Sequence, residues 1–120
     1  MESRMVQHRK ALAGYHLLII IAKSDGLFSM SEETVIKKYL ASNPEGLENI
    51  DDTLSMIKEM KNEDRFYFFQ QAAADYYALS TNQERMAFIN LVFDLIKSDQ
   101  KITVEENLYL NELYNTWGLD

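Results

Sequence analysis

An all-α fold is what this sequence predicts: a single bundle of six or seven helices over residues 1–120, with two pseudo-symmetric helical hairpins. Three observations predict it. Apolar residues recur at spacings of three and four almost throughout, and no segment alternates with period two over the length of a strand. One proline and four glycines are too few for the many tight turns of an all-β chain. An acidic turn also occurs twice. Lys23-Ser24-Asp25-Gly26-Leu27-Phe28-Ser29-Met30-Ser31-Glu32 returns without a gap as Lys97-Ser98-Asp99-Gln100-Lys101-Ile102-Thr103-Val104-Glu105-Glu106. Each copy follows a strongly apolar run and precedes an amphipathic one.

The first helix is expected from about Met5 to Ser24, apolar all round in its second half, as befits a central helix covered by neighbours. Asp25-Gly26 stops it, with Gly26 suited to the left-handed position after a helix end. Ser29-Met30-Ser31-Glu32 is a capping-box pattern opening a second helix, with Val35, Ile36, Tyr39 and Leu40 on its inner face. Asn43-Pro44-Glu45-Gly46 breaks the chain. Asp51 and Asp52 mark the start of a third helix, with Ile50, Leu54, Ile57 and Met60 inward. A fourth follows Asn62, showing Phe66, Phe69, Ala73 and Tyr76 at helical spacing. Thr81-Asn82-Gln83-Glu84 is another capping box and opens a fifth, with Met86, Ile89, Phe93 and Ile96 on one face. Thr103-Val104-Glu105-Glu106 opens the last, with Leu110, Leu113, Tyr114 and Trp117 inward and Gly118 closing it.

The repeat reaches beyond the turn. An offset of 74 pairs Leu17 with Leu91, Leu18 with Val92, Ile19 with Phe93 and Ile21 with Leu95. It also pairs Val35 with Tyr109, Ile36 with Leu110, Tyr39 with Leu113 and Leu40 with Tyr114. Helices one and two therefore match helices five and six, and the two hairpins are expected to pack about a pseudo-two-fold axis. Two copies are too few for a solenoid, so this is duplication within one domain.

Composition excludes several functions. No cysteine means no disulfide, thiolate zinc site or thiol nucleophile, which suits a reducing cytoplasm. A net charge of −7 argues against nucleic acid. Arg4, Arg9, Lys10 and Lys23 make the first helix basic on an acidic body. Such a helix suits an acidic partner or peripheral association with anionic lipid, although more often it offsets its neighbours' charge. The longest apolar run, Leu17 to Ala22, is far too short to span a bilayer, so no transmembrane segment is expected. No small-residue cleavage pattern follows it, so no secretory leader is expected either.

The repeated turn admits two readings. Ser29 and Thr103 as N-caps, with Glu32 and Glu106 three residues later, satisfy otherwise unpaired amides at about 1 kcal/mol per cap. Phe28 and Ile102 fit as hydrophobic staples, and none of these positions needs a ligand. Asp25 and Asp99 differ. Each lies at a helix C-terminus, where the macrodipole disfavours an anion by roughly 0.3–1 kcal/mol. A bound cation would neutralise the carboxylate and interact with the free carbonyls of the helix end. Carboxylate and carbonyl oxygens are the ligands of Ca²⁺ and Mg²⁺. The EF-hand loop is a poor match, because Leu27 and Ser29, or Lys101 and Thr103, stand where it needs oxygen ligands. Turn-and-cap structure alone and a cation site both stay open on spacing.

An apolar helix followed by Asp25-Gly26-x-Phe28-Ser29-x-x-Glu32, with a second copy near the C-terminus, resembles the TerB family of tellurite-resistance proteins. The likeness covers nearly the whole chain. It implies an all-helical bundle with internal pseudo-symmetry. It also implies divalent-metal binding through Asp25, Glu32, Asp99 and Glu106, and a non-catalytic role docking a protein partner in bacterial stress-response assemblies, some membrane-associated. The second copy departs from the pattern, since Gln100 stands where glycine is expected and disfavours a left-handed turn. The alternative is a metal-free interaction module in which the same residues only cap helices.

Catalysis finds little support. His8 and His16 share one helix without an evident acidic partner and read as surface or interface residues. No phosphate loop, nucleophile elbow or H-E-x-x-H is present. Glu32-Glu33 and Glu105-Glu106 point about 100° apart on a helix, one cap and one solvated charge in each pair. Paired Glu-x-x-His motifs, which a di-iron bundle requires, are absent. In the stretch from Phe66 to Tyr77, core packing explains Phe66, Phe69 and Tyr76. Tyr67, Phe68 and Tyr77 are left partly exposed, as ordinary packing or as a partner surface.

Overall fold

A computed structural model describes residues 4–23, 30–42, 50–97 and 104–119, and among these it shows six helices and no strand. They are α1 (Arg4–Lys23), α2 (Met30–Ser42), α3 (Ile50–Glu59), α4 (Asn62–Leu79), α5 (Asn82–Lys97) and α6 (Val104–Trp117). The expected helices are all present, within a residue or two at each described end. Ser29, Thr103 and the Asn43-Pro44-Glu45-Gly46 break lie outside the described residues.

Helix α1 is the centre of the bundle. It packs along α4 and also touches α2, α3, α5 and α6. Leu17, Leu18, Ile20, Ile21 and Ala22 have no solvent exposure. A helix enclosed by neighbours has no polar face to keep, which is why apolar residues surround it. The first half still needs room. A Cβ on Gly14 would collide with the Tyr39 hydroxyl and come 2.8 Å from the ring carbon bearing it. That hydroxyl is held in place by donating 2.8 Å to the carbonyl of Ala11.

Helices α4 and α6 run parallel. Phe66 and Phe69 meet Tyr109 with ring centroids 5.8 and 4.8 Å apart, and Gln70 donates to Glu112 at 3.1 Å. Farther along, the Trp117 indole donates 2.8 Å to the Ala73 carbonyl. Trp117 also stacks on Tyr76 and meets Phe88 edge-on, so α4, α5 and α6 share one aromatic cluster.

The helix ends follow their local chemistry. Thr81 and Glu84 form the reciprocal box read from the sequence: the Thr81 amide donates to Glu84 Oε1 at 2.8 Å and the Glu84 amide to Thr81 Oγ1 at 3.2 Å. Arg65 caps the end of α3 by donating to the carbonyls of Ile57 and Met60. Gly118 takes a φ of 68° after α6, and the Leu119 amide donates back to the Tyr114 carbonyl at 2.9 Å. That six-to-one bond is a Schellman ending, which glycine permits without steric cost.

One face was misread. Met86 is 47% exposed, whereas Phe88, Val92 and Leu95 are buried with Ile89 and Ile96. The inner arc of α5 is thus rotated by roughly 70° from the one its apolar spacing suggests. The reason is that α5 packs against both α1 and α2, and the two contacts together set its orientation.

Candidate functional site at the repeated acidic turns

Four carboxylates were expected at the site. Asp25 and Asp99 lie outside the described residues, as do Gly26 and Gln100. Glu32 is in the first turn of α2, and its side chain is also outside them. Glu106 is fully described. It is the third residue of α6 and has no solvent exposure, while its neighbour Glu105 is exposed. Glu105 is solvated, as expected of one member of the pair; the capping expected of Glu106 involves Thr103, which lies outside the described residues, and the Glu106 carboxylate is buried. Its place in the first helical turn lets the macrodipole favour the anion. Among the described residues, no three His, Asp or Glu side chains cluster so as to hold a metal ion.

A second polar feature was not anticipated. Lys10 of α1 is 6% exposed, and its ammonium lies 2.7 Å from Glu84 Oε2 on α5. Partial burial works against the Glu84 charge. The hydrogen bonds from Lys10 and from Thr81 outweigh it and hold the carboxyl below the usual carboxylate range. One glutamate thus caps α5 through one oxygen and ties α5 to α1 through the other. Lys10 and Glu84 are 74 positions apart, which is the offset of the repeat. Gly14 and Phe88, with the same separation, also approach each other. Positions separated by the repeat offset therefore meet where α1 packs against α5. The repeat read from the sequence begins at Leu17 and Leu91 and does not reach these positions, so packing alone reveals the pair. The basic character of the first helix is, for Lys10, compensation of a neighbouring acid, while Arg9 stays exposed.

Among the surface cavities lined by described residues are two that contain no predicted ligand. One, of about 240 Å³, lies between Lys38 and Tyr39 of α2, Tyr76 of α4 and Glu84 and Phe88 of α5. Its carboxylate, Glu84, is shifted away from the protonated form that a general acid requires. The other, of about 190 Å³, lies between α1 and α4 and is lined by Arg9, His16, Phe68 and Asp75 among others.

His16 is drawn further into the fold than a surface residue. Its ring lies 4.8 Å from that of Phe68, and burial pushes its pKa down to about 4, against the opposing pull of Asp75. The unfolded chain takes up a proton near the ordinary value of 6.5, whereas the folded chain does not until about 4. Stability from this residue is therefore complete above that ordinary value and is lost as pH falls toward the folded value. Between pH 6.5 and about pH 5 the loss is expected to be about 1–2 kcal/mol, given partial solvent access. Urea unfolding of wild type and His16→Leu at both pH values checks this; an equal loss in the two proteins would exclude His16 as its source.

Among the described residues, no helix is long and apolar enough to cross a membrane. A model of the family described as tellurite resistance protein TerB matches residues 10–120. No curated protein and no solved structure matches the chain.

Proposed function

Because the chain belongs to the TerB family, we propose that it is a non-catalytic binding module that holds a divalent cation at its acidic turns and docks a protein partner in a bacterial stress-response assembly. Asp25 and Glu32 form the first set of ligands, and Asp99 and Glu106 the second. The donor set is oxygen alone, which fits Ca²⁺ or Mg²⁺ rather than a thiophilic metal. The observation that carries the reading is Glu106. A glutamate that served only as an exposed cap would keep its carboxylate in water, as its neighbour Glu105 does, yet this one is wholly buried directly after the turn. The bound cation supplies positive charge to carboxylates and helix-end carbonyls, and so couples ion binding to the packing of α1 against α2 and of α6 onto the bundle.

A second reading has its own support. Thr81 and Glu84 repeat the Ser/Thr-x-x-Glu spacing and act as a cap with no Asp-containing turn before them. The Ser/Thr-x-x-Glu spacing alone is therefore consistent with a metal-free interaction module, and the aspartates distinguish the two.

Titration of chelator-treated protein with Ca²⁺, Mg²⁺, Mn²⁺ and Zn²⁺, followed by melting, tests the proposal. An ion at about 100 times its dissociation constant is expected to stabilise the fold by about 2.7 kcal/mol. Asp25→Asn with Asp99→Asn is expected to abolish that gain. No shift with any of the ions at millimolar concentration, and a double variant as stable as wild type or slightly more so, would establish the capping-only module instead.

A further inference from the structure

The seam between α4 and α6 carries an exposed apolar stripe. Gln70 and Glu112 bridge the two parallel helices at 3.1 Å. Tyr67 is three residues before Gln70 and Leu108 four before Glu112, so each lies on the flank of its helix that borders the seam. The pairing of Phe66 with Tyr109 sets the two at the same height. Tyr67 is 64% exposed and Leu108 53%. Val104, one turn before Leu108, is 82% exposed. Three large apolar side chains on one strip are more than the scattered exposure normal for a surface.

Among the described residues, charge along this strip has one sign. Glu63 lies one turn before Tyr67, and α6 contributes Glu105 and Glu112 with no lysine or arginine anywhere in its length. The only base in α4 is Arg65, whose guanidinium donates to the carbonyls of Ile57 and Met60 at the end of α3. Beyond the other end of the strip, Arg85 stacks on Tyr77 and donates to the carbonyls of Tyr77 and Ser80. The centre of the stripe is therefore apolar with an acidic border.

We infer that the α4–α6 seam is a docking surface for a basic amphipathic segment of a partner protein. Aliphatic side chains of that segment pack on Tyr67, Leu108 and Val104, and its Lys or Arg residues face Glu63, Glu105 and Glu112. The acidic border disfavours both a second copy of this acidic chain and an anionic lipid surface. This inference rests on the docking part of the function proposed above and is independent of its metal part.

The test uses a helical peptide of leucine and lysine matched in length to the 14 residues of α6. A leucine–glutamate peptide of the same pattern is the control, and amide chemical shifts of the labelled full chain are the readout. The leucine–lysine peptide is expected to perturb Tyr67, Gln70, Val104 and Leu108, and the control to perturb nothing. Leu108→Lys, a substitution at an exposed position whose fold is checked by circular dichroism, is expected to weaken binding at least about tenfold. Leu108→Ala is expected to weaken it less. Perturbation elsewhere, equal binding of the acidic peptide, or unchanged affinity in Leu108→Lys would overturn the inference. So would binding of phosphatidylserine vesicles through these residues, or dimerisation of the free chain that Leu108→Lys abolishes. Repeating the titration with chelator separates the two proposals: a peptide that binds without metal leaves the docking surface standing even if every ion fails.

Discussion

Trp117→Ala is expected to destabilise the protein by about 3–5 kcal/mol, the cost of truncating a fully packed aromatic side chain. The residue is 4% exposed and closes the cluster that unites α4, α5 and α6. Its ring stacks on Tyr76 with centroids 5.3 Å apart and meets Phe88 at 5.8 Å, and its indole donates to Ala73. Removal opens a cavity next to side chains already held by other contacts, so the site has little freedom to collapse. Small domains are stable by roughly 5–15 kcal/mol in total, so the loss is a large share of the whole. Trp117→Phe keeps most of the ring contact and loses the hydrogen bond, and is expected to cost about 1–2 kcal/mol. Urea unfolding followed by circular dichroism measures both. A loss below that of the phenylalanine variant in Trp117→Ala would show that the cluster repacks around the gap.

Glu84→Ala is expected to cost about 2–4 kcal/mol, whereas Lys10→Met is expected to be neutral or stabilising. The asymmetry follows from burial. The Lys10 side chain is 7% exposed and the Glu84 side chain 38%. Removing Glu84 leaves an ammonium inside the fold facing lost charge compensation, and removes the cap on Thr81 as well. Removing the charge of Lys10 leaves a carboxylate that water can reach and that still accepts from Thr81. Methionine retains the length and flexibility of the lysine stem. Denaturant titration of the two single variants and the double variant gives the coupling between them. Equal losses in the two single variants would mean that solvent, rather than Lys10, balances Glu84.

Much of this molecule was legible because the signals are local. The Thr81-x-x-Glu84 box and the Gly118 ending require only near neighbours in the chain, and both occur as read. The enclosed second half of α1 was legible from its lack of a polar face. The candidate site was legible as a repeated pattern, and of its four carboxylates Glu106 is the one the structure describes in full. What could not be read was any property that depends on the angle at which one helix meets another. The position of Met86 outside and Phe88 inside is one such property, and the withdrawal of His16 into the groove beside Phe68 is another. Hydrophobic spacing identifies a face to within about a quarter turn, and a quarter turn decides whether a methionine meets solvent or core.

The sequence by itself determined the class of fold, the order of the helices and those of their ends that the structure describes, the family, and the duplicated acidic motif. These follow from periodicity, capping chemistry and repetition, which act over a few residues or are visible by comparing one stretch with another. Only the tertiary structure decided that Lys10 and Glu84 meet between α1 and α5, that α4 and α6 run parallel, and that Tyr67 and Leu108 stand level across their seam. Each of those depends on how rigid helices wedge together, and packing of that kind is set by all the side chains at the contact at once.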